Sequence, residues 1–218
     1  MARESKEAKR ARAQAVVDAL ARQMPEAKIE LDYADDLQLL VAVMLSAQCT
    51  DKLVNTVTPA LFARHPTAAD YARSTPEQLG EQIRRVGLWR TKAKNLHATM
   101  TLLAARGGGL PRTREALEEL PGVGWKTAGV VVNHAFGVPA LPVDTHVGRL
   151  ARRLGFTAQE DPRKVEADLS RLWPPERWGL SHQLLIWHGR RTCFARKPLC
   201  SSCVVAADCP RRGVRASG

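Results

Sequence analysis

Apolar residues recur along this chain at intervals of three and four. Val16, Leu20 and Met24 are spaced by four, Val54, Val57 and Leu61 by three and four, and Leu96, Met100 and Leu103 by four and three. Each set predicts one helical stripe, because residues at these intervals share a face of a 3.6-residue turn. Start signals agree with the stripes. In "STPEQL" (74–79), Thr75 is a predicted N-cap, Pro76 fills the first helical position and Gln78 completes a capping box, with Gly87 read as the stop after Val86. Asp161 and Pro162 open a further helix, with Val165, Leu169 and Leu172 on its inner face. Pro59 interrupts the period within 51–63, so a kinked or shortened helix is expected there. No segment shows convincing strand alternation, and Val130 to Val132 read as the interior of a helix begun near residue 125. The predicted class is all-α.

Composition narrows the chemistry. With 218 residues, 44% of them hydrophobic, the chain can bury one large core or two small ones. Its 33 Lys and Arg against 22 Asp and Glu leave a charge of +11, which points to a polyanionic partner and most simply to nucleic acid. The basic N-terminal run contains Glu4 and Glu7 and lacks the apolar core of a signal peptide, so export is not expected. The apolar run "LLVAVML" (39–45) is too short to span a bilayer. A reducing, cytoplasmic compartment is therefore expected, where clustered cysteines bind metal more often than they pair.

The stretch "LEELPGVGWKTAGVVVNHAFG" (117–137) reads as a helix ending near Leu120, a tight turn over 121–124 and a second helix from about Trp125, a helix-hairpin-helix. Gly122 and Gly124 are expected to adopt positive φ and, lacking Cβ, to let backbone N–H groups approach a phosphate at the positive end of the second helix. Such contacts position nucleic acid without reading its sequence. An ordinary αα-turn is the plainer alternative. A Walker loop fits poorly, because Trp125 separates Gly124 from Lys126. Lys126 falls in the first turn of the second helix, where the macrodipole disfavours a cation and so favours the neutral amine that a nucleophilic lysine needs. A solvated charge or a phosphate contact is the commoner use of such a residue.

Eighteen residues later, "LPVDTHVGRLARRLGF" (141–156) places Asp144 at the start of a stripe formed by Val147, Leu150, Ala151 and Leu154. Asp144 is a natural N-cap. A carboxylate held there also stays ionised, and facing Lys126 it would accept the ammonium proton or stabilise a cationic sugar transition state. Near the C-terminus, Cys193, Cys200, Cys203 and Cys209 are spaced C-x6-C-x2-C-x5-C and followed by Pro210. That spacing alone leaves an iron-sulfur cluster and zinc evenly balanced.

Four ordered motifs, "LSAQCTD" (45–51), "LPGVGWKTA" (120–128), "VDTHVGRLARRLG" (143–155) and "HGRRTCFARKPLCSSC" (188–203), resemble the endonuclease III DNA glycosylases of the helix-hairpin-helix superfamily. The resemblance implies a bifunctional enzyme that flips an oxidised pyrimidine out of duplex DNA, removes it and nicks the abasic site. It implies Lys126 as the nucleophile at the sugar C1′ and Asp144 as the catalytic carboxylate. It also implies a [4Fe-4S] cluster on the four cysteines, structural in role, with Arg196 and Lys197 presented to phosphate from its first loop. Gln48 and Leu88 would fill the gap left by the extruded base, although a helix end and a core residue are their plainer readings. Glu118 and His146, beside the two catalytic motifs, would line the same groove. Cys49 is expected to be buried filler in a helix.

The architecture implied is two helical domains flanking a DNA-binding groove: residues 29–138 form a six-helix domain with the hairpin, and 1–28 with 139–218 form the cluster domain. The partner implied is double-stranded DNA carrying damaged bases or abasic sites, bound by a monomer with no membrane involved. Lys6, Lys9, Arg10 and Arg12 either add DNA attraction or form a solvated helix face. Two departures from the family pattern stand beside the nucleophile: Trp125, where a basic residue is common, and Gly129, where Asn is common. The related adenine-mismatch glycosylases are the competing enzyme reading; that group typically lacks the nucleophilic lysine and adds a C-terminal domain, whereas this chain ends nine residues after Cys209. A non-catalytic DNA-binding module with a zinc knot is the third reading.

Overall fold

The computed structural model describes residues 4–215 and 218, and among these there is no β-strand. The chain divides into two compact units, one running from Glu30 to Val138 and the other joining the segment up to Ile29 with the chain from Pro139 onward.

The Glu30–Val138 unit contains α2 (Asp36–Ser46), α3 (Asp51–Arg64), α4 (Ala68–Arg73), α5 (Pro76–Ile83), α6 (Trp89–Ala105), α7 (Arg114–Glu118) and α8 (Trp125–Phe136). α2 is its centre. The Asp35 carboxylate caps it by accepting from the Gln38 N–H at 2.8 Å, and all seven residues from Leu39 to Leu45 are buried. The apolar run too short for a membrane is thus a core helix, packed against α3, α6 and α8. α3 does not stop at Pro59. A proline costs the helix one hydrogen bond, but buried Val54, Val57, Thr58 and Leu61 hold both halves of the helix to one core. α5 starts as expected, with Thr75 and Gln78 in a reciprocal capping box and Pro76 behind them. Its end differs: the helix stops at Ile83, and the left-handed residue of the following turn is Leu88 (φ 58°) rather than Gly87.

The other unit contains α1 (Lys6–Gln23), α9 (Thr145–Arg153), α10 (Pro162–Ser170), a 3₁₀ turn at Pro175–Arg177, α11 (Trp178–Arg191) and the cysteine loops. Val16, Val17, Leu20, Val147, Leu150, Leu154, Val165, Leu169 and Leu184 meet in its core, whereas Leu172 lies past the end of α10 and is only partly buried. Each buried aliphatic side chain of this kind contributes about 1.5–3 kcal/mol. Polar bonds tie α1 and the segment that follows it to distant parts of the same unit. The Trp173 indole N–H donates to the Ala13 carbonyl at 3.0 Å, and that of Trp187 to the Lys28 carbonyl at 2.9 Å. Arg12 donates to the carbonyls of Leu154 and Asp208, both at 2.8 Å, and Arg10 to that of Arg171. Two of the four N-terminal cations are therefore engaged in holding the fold, while Lys6 is exposed and Lys9 half-buried.

Candidate functional site

The turn between α7 and α8 is built around Gly122. Its φ is +78°, and a Cβ there would stand 2.7 Å from Asn95 of α6, so both backbone and space require glycine. The Thr99 hydroxyl donates to the Pro121 carbonyl at 2.8 Å, and Val123 is buried beneath the turn. Gly124 behaves differently from expectation. It is the N-cap of α8 with φ −90°, a conformation open to any residue, and the space its Cβ would occupy is empty. It leaves the start of α8 without a capping side chain and makes no left-handed turn. Ala128 and Val130 to Val132 bury one side of α8, and Lys126, second in the helix, is exposed.

Both departures beside Lys126 involve one side chain that the sequence reading missed. The Arg114 guanidinium lies 3.6 Å from the centroid of the Trp125 ring and donates through Nε to the Trp125 carbonyl at 3.0 Å. A Cβ on Gly129 would stand 2.7 Å from the same guanidinium. Trp125 supplies a face for Arg114 and Gly129 supplies room for it, so the two substitutions form one packing solution on the helix that carries Lys126.

Gln48 and Leu88 lie on adjoining turns. Both are exposed, Leu88 at 60%, and both hold left-handed backbone, with φ of 54° and 58°. An ordinary side chain in that region costs about 1–2 kcal/mol, and the leucine also places an apolar side chain in water. The turns abut: a Cβ on Gly87 would lie 3.7 Å from the Gln48 carbonyl oxygen. Cys49 is half-buried in this turn, outside α2 rather than within a helix as expected.

In the other unit, Asp144 is the N-cap of α9, accepting from the Val147 N–H at 2.8 Å, and remains half-buried. The plain capping reading is therefore realised, and it leaves the second carboxylate oxygen for other work. His146 follows, with Nδ1 3.2 Å from Arg149 and its Cβ packed over Gly189. Burial pulls the imidazole below the usual histidine pKa, while neighbouring Asp144 pulls the other way. Lys126 and Asp144 belong to different units.

α9 also holds the first cysteine loop. Arg149 donates to the carbonyls of Gly189 and Cys193, and the buried Arg153 donates to those of Phe194 and Ala195 at 2.6 and 2.8 Å while standing 3.2 Å from Cys193 Sγ. Their spacing of four, which puts both on one face of α9 away from its apolar stripe, was the available signal. Cys193, Cys200, Cys203 and Cys209 line one cavity with Leu150, Leu154, His188 and Val205. Burial, reinforced by the neighbouring sulfurs, pushes the Cys203 and Cys209 thiols up. Among the described residues no three His, Cys, Asp or Glu side chains converge on a single ion. Four thiols around one cavity are a donor set that either one zinc or a polynuclear cluster, with one sulfur to each iron, can use. Buried His188, its pKa pulled down to about 4, has Nε2 3.5 Å from Cys203 Sγ. Arg196 and Lys197 are exposed on the first loop. No helix among the described residues is long and apolar enough to cross a membrane.

Residues 41–175 match the family model of HhH-GPD superfamily base excision DNA repair proteins, and residues 193–209 match the iron-sulfur binding domain of endonuclease III. The chain is 46% identical to endonuclease III of Synechocystis sp., covering 93% of both sequences. It is 44% identical to that of Bacillus subtilis, covering 88% of this chain and 89% of the relative. Its structure is similar to that of endonuclease III in a trapped covalent intermediate with DNA: the TM-score is 0.89 at 43% identity, covering 93% of this chain and 96% of the other.

Proposed function

This chain belongs to the endonuclease III family of the HhH-GPD superfamily, a base excision repair DNA glycosylase and abasic-site lyase, and from that premise we propose the roles of its residues. The substrate is duplex DNA carrying an oxidised pyrimidine or an abasic site. Lys126 is the nucleophile. Its neutral amine attacks the sugar C1′, the N-glycosidic bond breaks, and the base departs with a proton. The nitrogen lone pair then opens the sugar ring, O4′ leaving C1′ and taking up the proton that the Asp144 carboxyl had accepted, and the nitrogen, keeping its one hydrogen, becomes the protonated imine, which acidifies C2′–H. Removal of that proton then expels the 3′ phosphate. Asp144 accepts the lysine proton and offsets the positive charge that develops on the sugar.

Gly122 and Gly124 present backbone N–H groups to the phosphate backbone, and His146, Arg196 and Lys197 add polar and cationic contacts. Gln48 and Leu88 occupy the gap in the base stack. Their support is the exposed, left-handed pair of abutting turns that carries them, a costly arrangement. The chain carries a [4Fe-4S] cluster domain. We assign Cys193, Cys200, Cys203 and Cys209 as the ligands, on the support of their common cavity. When bound, the cluster cross-links loops too small to have their own core, and the lyase steps belong to the side chains alone. The enzyme would work in the bacterial cytoplasm, on the nucleoid.

The observation that carries the catalytic assignment is an exposed lysine in the first turn of α8, directly after the glycine turn, in a member of this family. Borohydride reduction on an abasic-site duplex tests it. Wild type should become covalently attached to DNA, and Lys126→Ala should not. Equal cross-linking by both would remove Lys126 from the reaction.

A further inference from the structure

Lys92 lies on α6, one helical turn after Leu88, and is only 8% exposed. A buried ammonium must be paired or fully hydrogen-bonded to be tolerated. Here its Nζ donates to the carbonyls of Leu45 at 2.8 Å and Ala47 at 2.6 Å. These belong to the C-terminal end of α2, where carbonyls have no helical partner and the macrodipole is negative. The same residue's backbone N–H donates to the Leu88 carbonyl at 3.0 Å. One lysine thus holds the turn bearing Gln48 with its side chain and the turn bearing Leu88 with its backbone. Both turns have non-glycine residues in left-handed backbone, a state that persists only where surrounding bonds over-determine it. Burial pulls the Lys92 pKa below the usual lysine value, so its position costs stability that a solvated lysine would not.

We propose that Lys92 is a positioning residue that fixes Gln48 and Leu88 as a single wedge, so that the gap left by base extrusion is filled by a preformed element. This rests on the reading of Gln48 and Leu88 as gap-filling residues. Lys92 itself need not touch DNA. Its effect should appear only where a gap must be filled.

The test compares two duplexes, each with an abasic site: one fully paired around it, the other with a one-nucleotide gap in the opposite strand so that little has to be filled. Single-turnover strand scission is followed on both, with 2-aminopurine beside the site reporting stack opening. Lys92→Met should lose roughly tenfold to a hundredfold on the paired duplex, the scale of a misplaced positioning group, with a weaker 2-aminopurine signal and little loss on the gapped duplex. Lys92→Gln, which keeps one donor group, should fall between and carries the test if Lys92→Met does not fold. Loss of equal size on both duplexes, or none on the paired one, overturns the proposal. The double variant Gln48→Ala/Leu88→Ala separates the layers. If it discriminates between the duplexes and the Lys92 variants do not, the inference about Lys92 fails alone. If it does not discriminate either, the wedge reading fails with it.

Discussion

At the scale of single residues, the packing beside Lys126, the proposed nucleophile, is set by how Arg114 is accommodated. Its guanidinium stacks on Trp125, bonds the Trp125 carbonyl and fills the space above Gly129. Adding an asparagine at Gly129 would push out the far end of a flexible side chain rather than move backbone, so the cost is the lost stack and hydrogen bond. Gly129→Asn and Arg114→Ala should each lower stability by about 1–2 kcal/mol. Because both remove the same interaction, the double variant should be no worse than the worse single variant, and thermal melting of the four proteins checks the coupling. Additive losses would show that Arg114 and Gly129 act separately. Gly122 is a harder constraint. With φ at +78° and the Asn95 Cβ and amide against it, Gly122→Ala should cost about 2–3 kcal/mol and lower the melting temperature by several degrees. In the sequence, Gly122 was legible as a turn glycine. Arg114 was not, since nothing in a period of three or four reveals a cation reaching across a hairpin to an aromatic ring.

At the scale of elements, local signals were legible where the partner lies within a few residues. The Thr75 capping box, the Asp144 cap and the stripes of α3, α6 and α9 all appear where periodicity and capping chemistry put them. Failures occurred where tertiary contact decides. Pro59 did not break α3 because its neighbours are buried, and α5 stopped before Gly87, where the Val86 N–H turns to the Ile83 carbonyl and the Val86 side chain is buried. The same lesson applies to the cysteine loop, which hangs on α9 through Arg149 and Arg153. Arg153→Met would leave the Phe194 and Ala195 carbonyls without these donors, a penalty of about 1–3 kcal/mol for each that stays buried. The loop should then open more often, and iron should escape faster to a ferrous chelator than from wild type, with Arg153→Lys intermediate. Unchanged iron release would mean that the cysteines and their ligation hold the loop without help from α9.

At the scale of the whole molecule, the excess of eleven positive charges must be divided between folding and binding. Arg10, Arg12, Arg149 and Arg153 are engaged with carbonyls of their own unit, so they are poorly placed to displace counterions from DNA. Lys6, Arg196 and Lys197 are exposed and available. If four to six phosphates are neutralised, affinity should fall by about two to three orders of magnitude between 50 and 200 mM salt, with a slope of roughly −0.9 per phosphate. Lys197→Ala should reduce the slope by about one if that residue meets a phosphate, weakening all duplexes alike. Arg12→Met should instead lower the melting temperature while leaving the slope unchanged. The chemical step, measured at saturating enzyme in a single turnover, should respond far less to salt than binding does, because in the proposed mechanism Lys126 and Asp144 act after the phosphates are already engaged. Filter binding and scission kinetics across the same salt series separate the two. A slope near zero would assign the surplus charge to the fold, and an Arg12→Met slope as shallow as that of Lys197→Ala would undo the division between folding and binding cations.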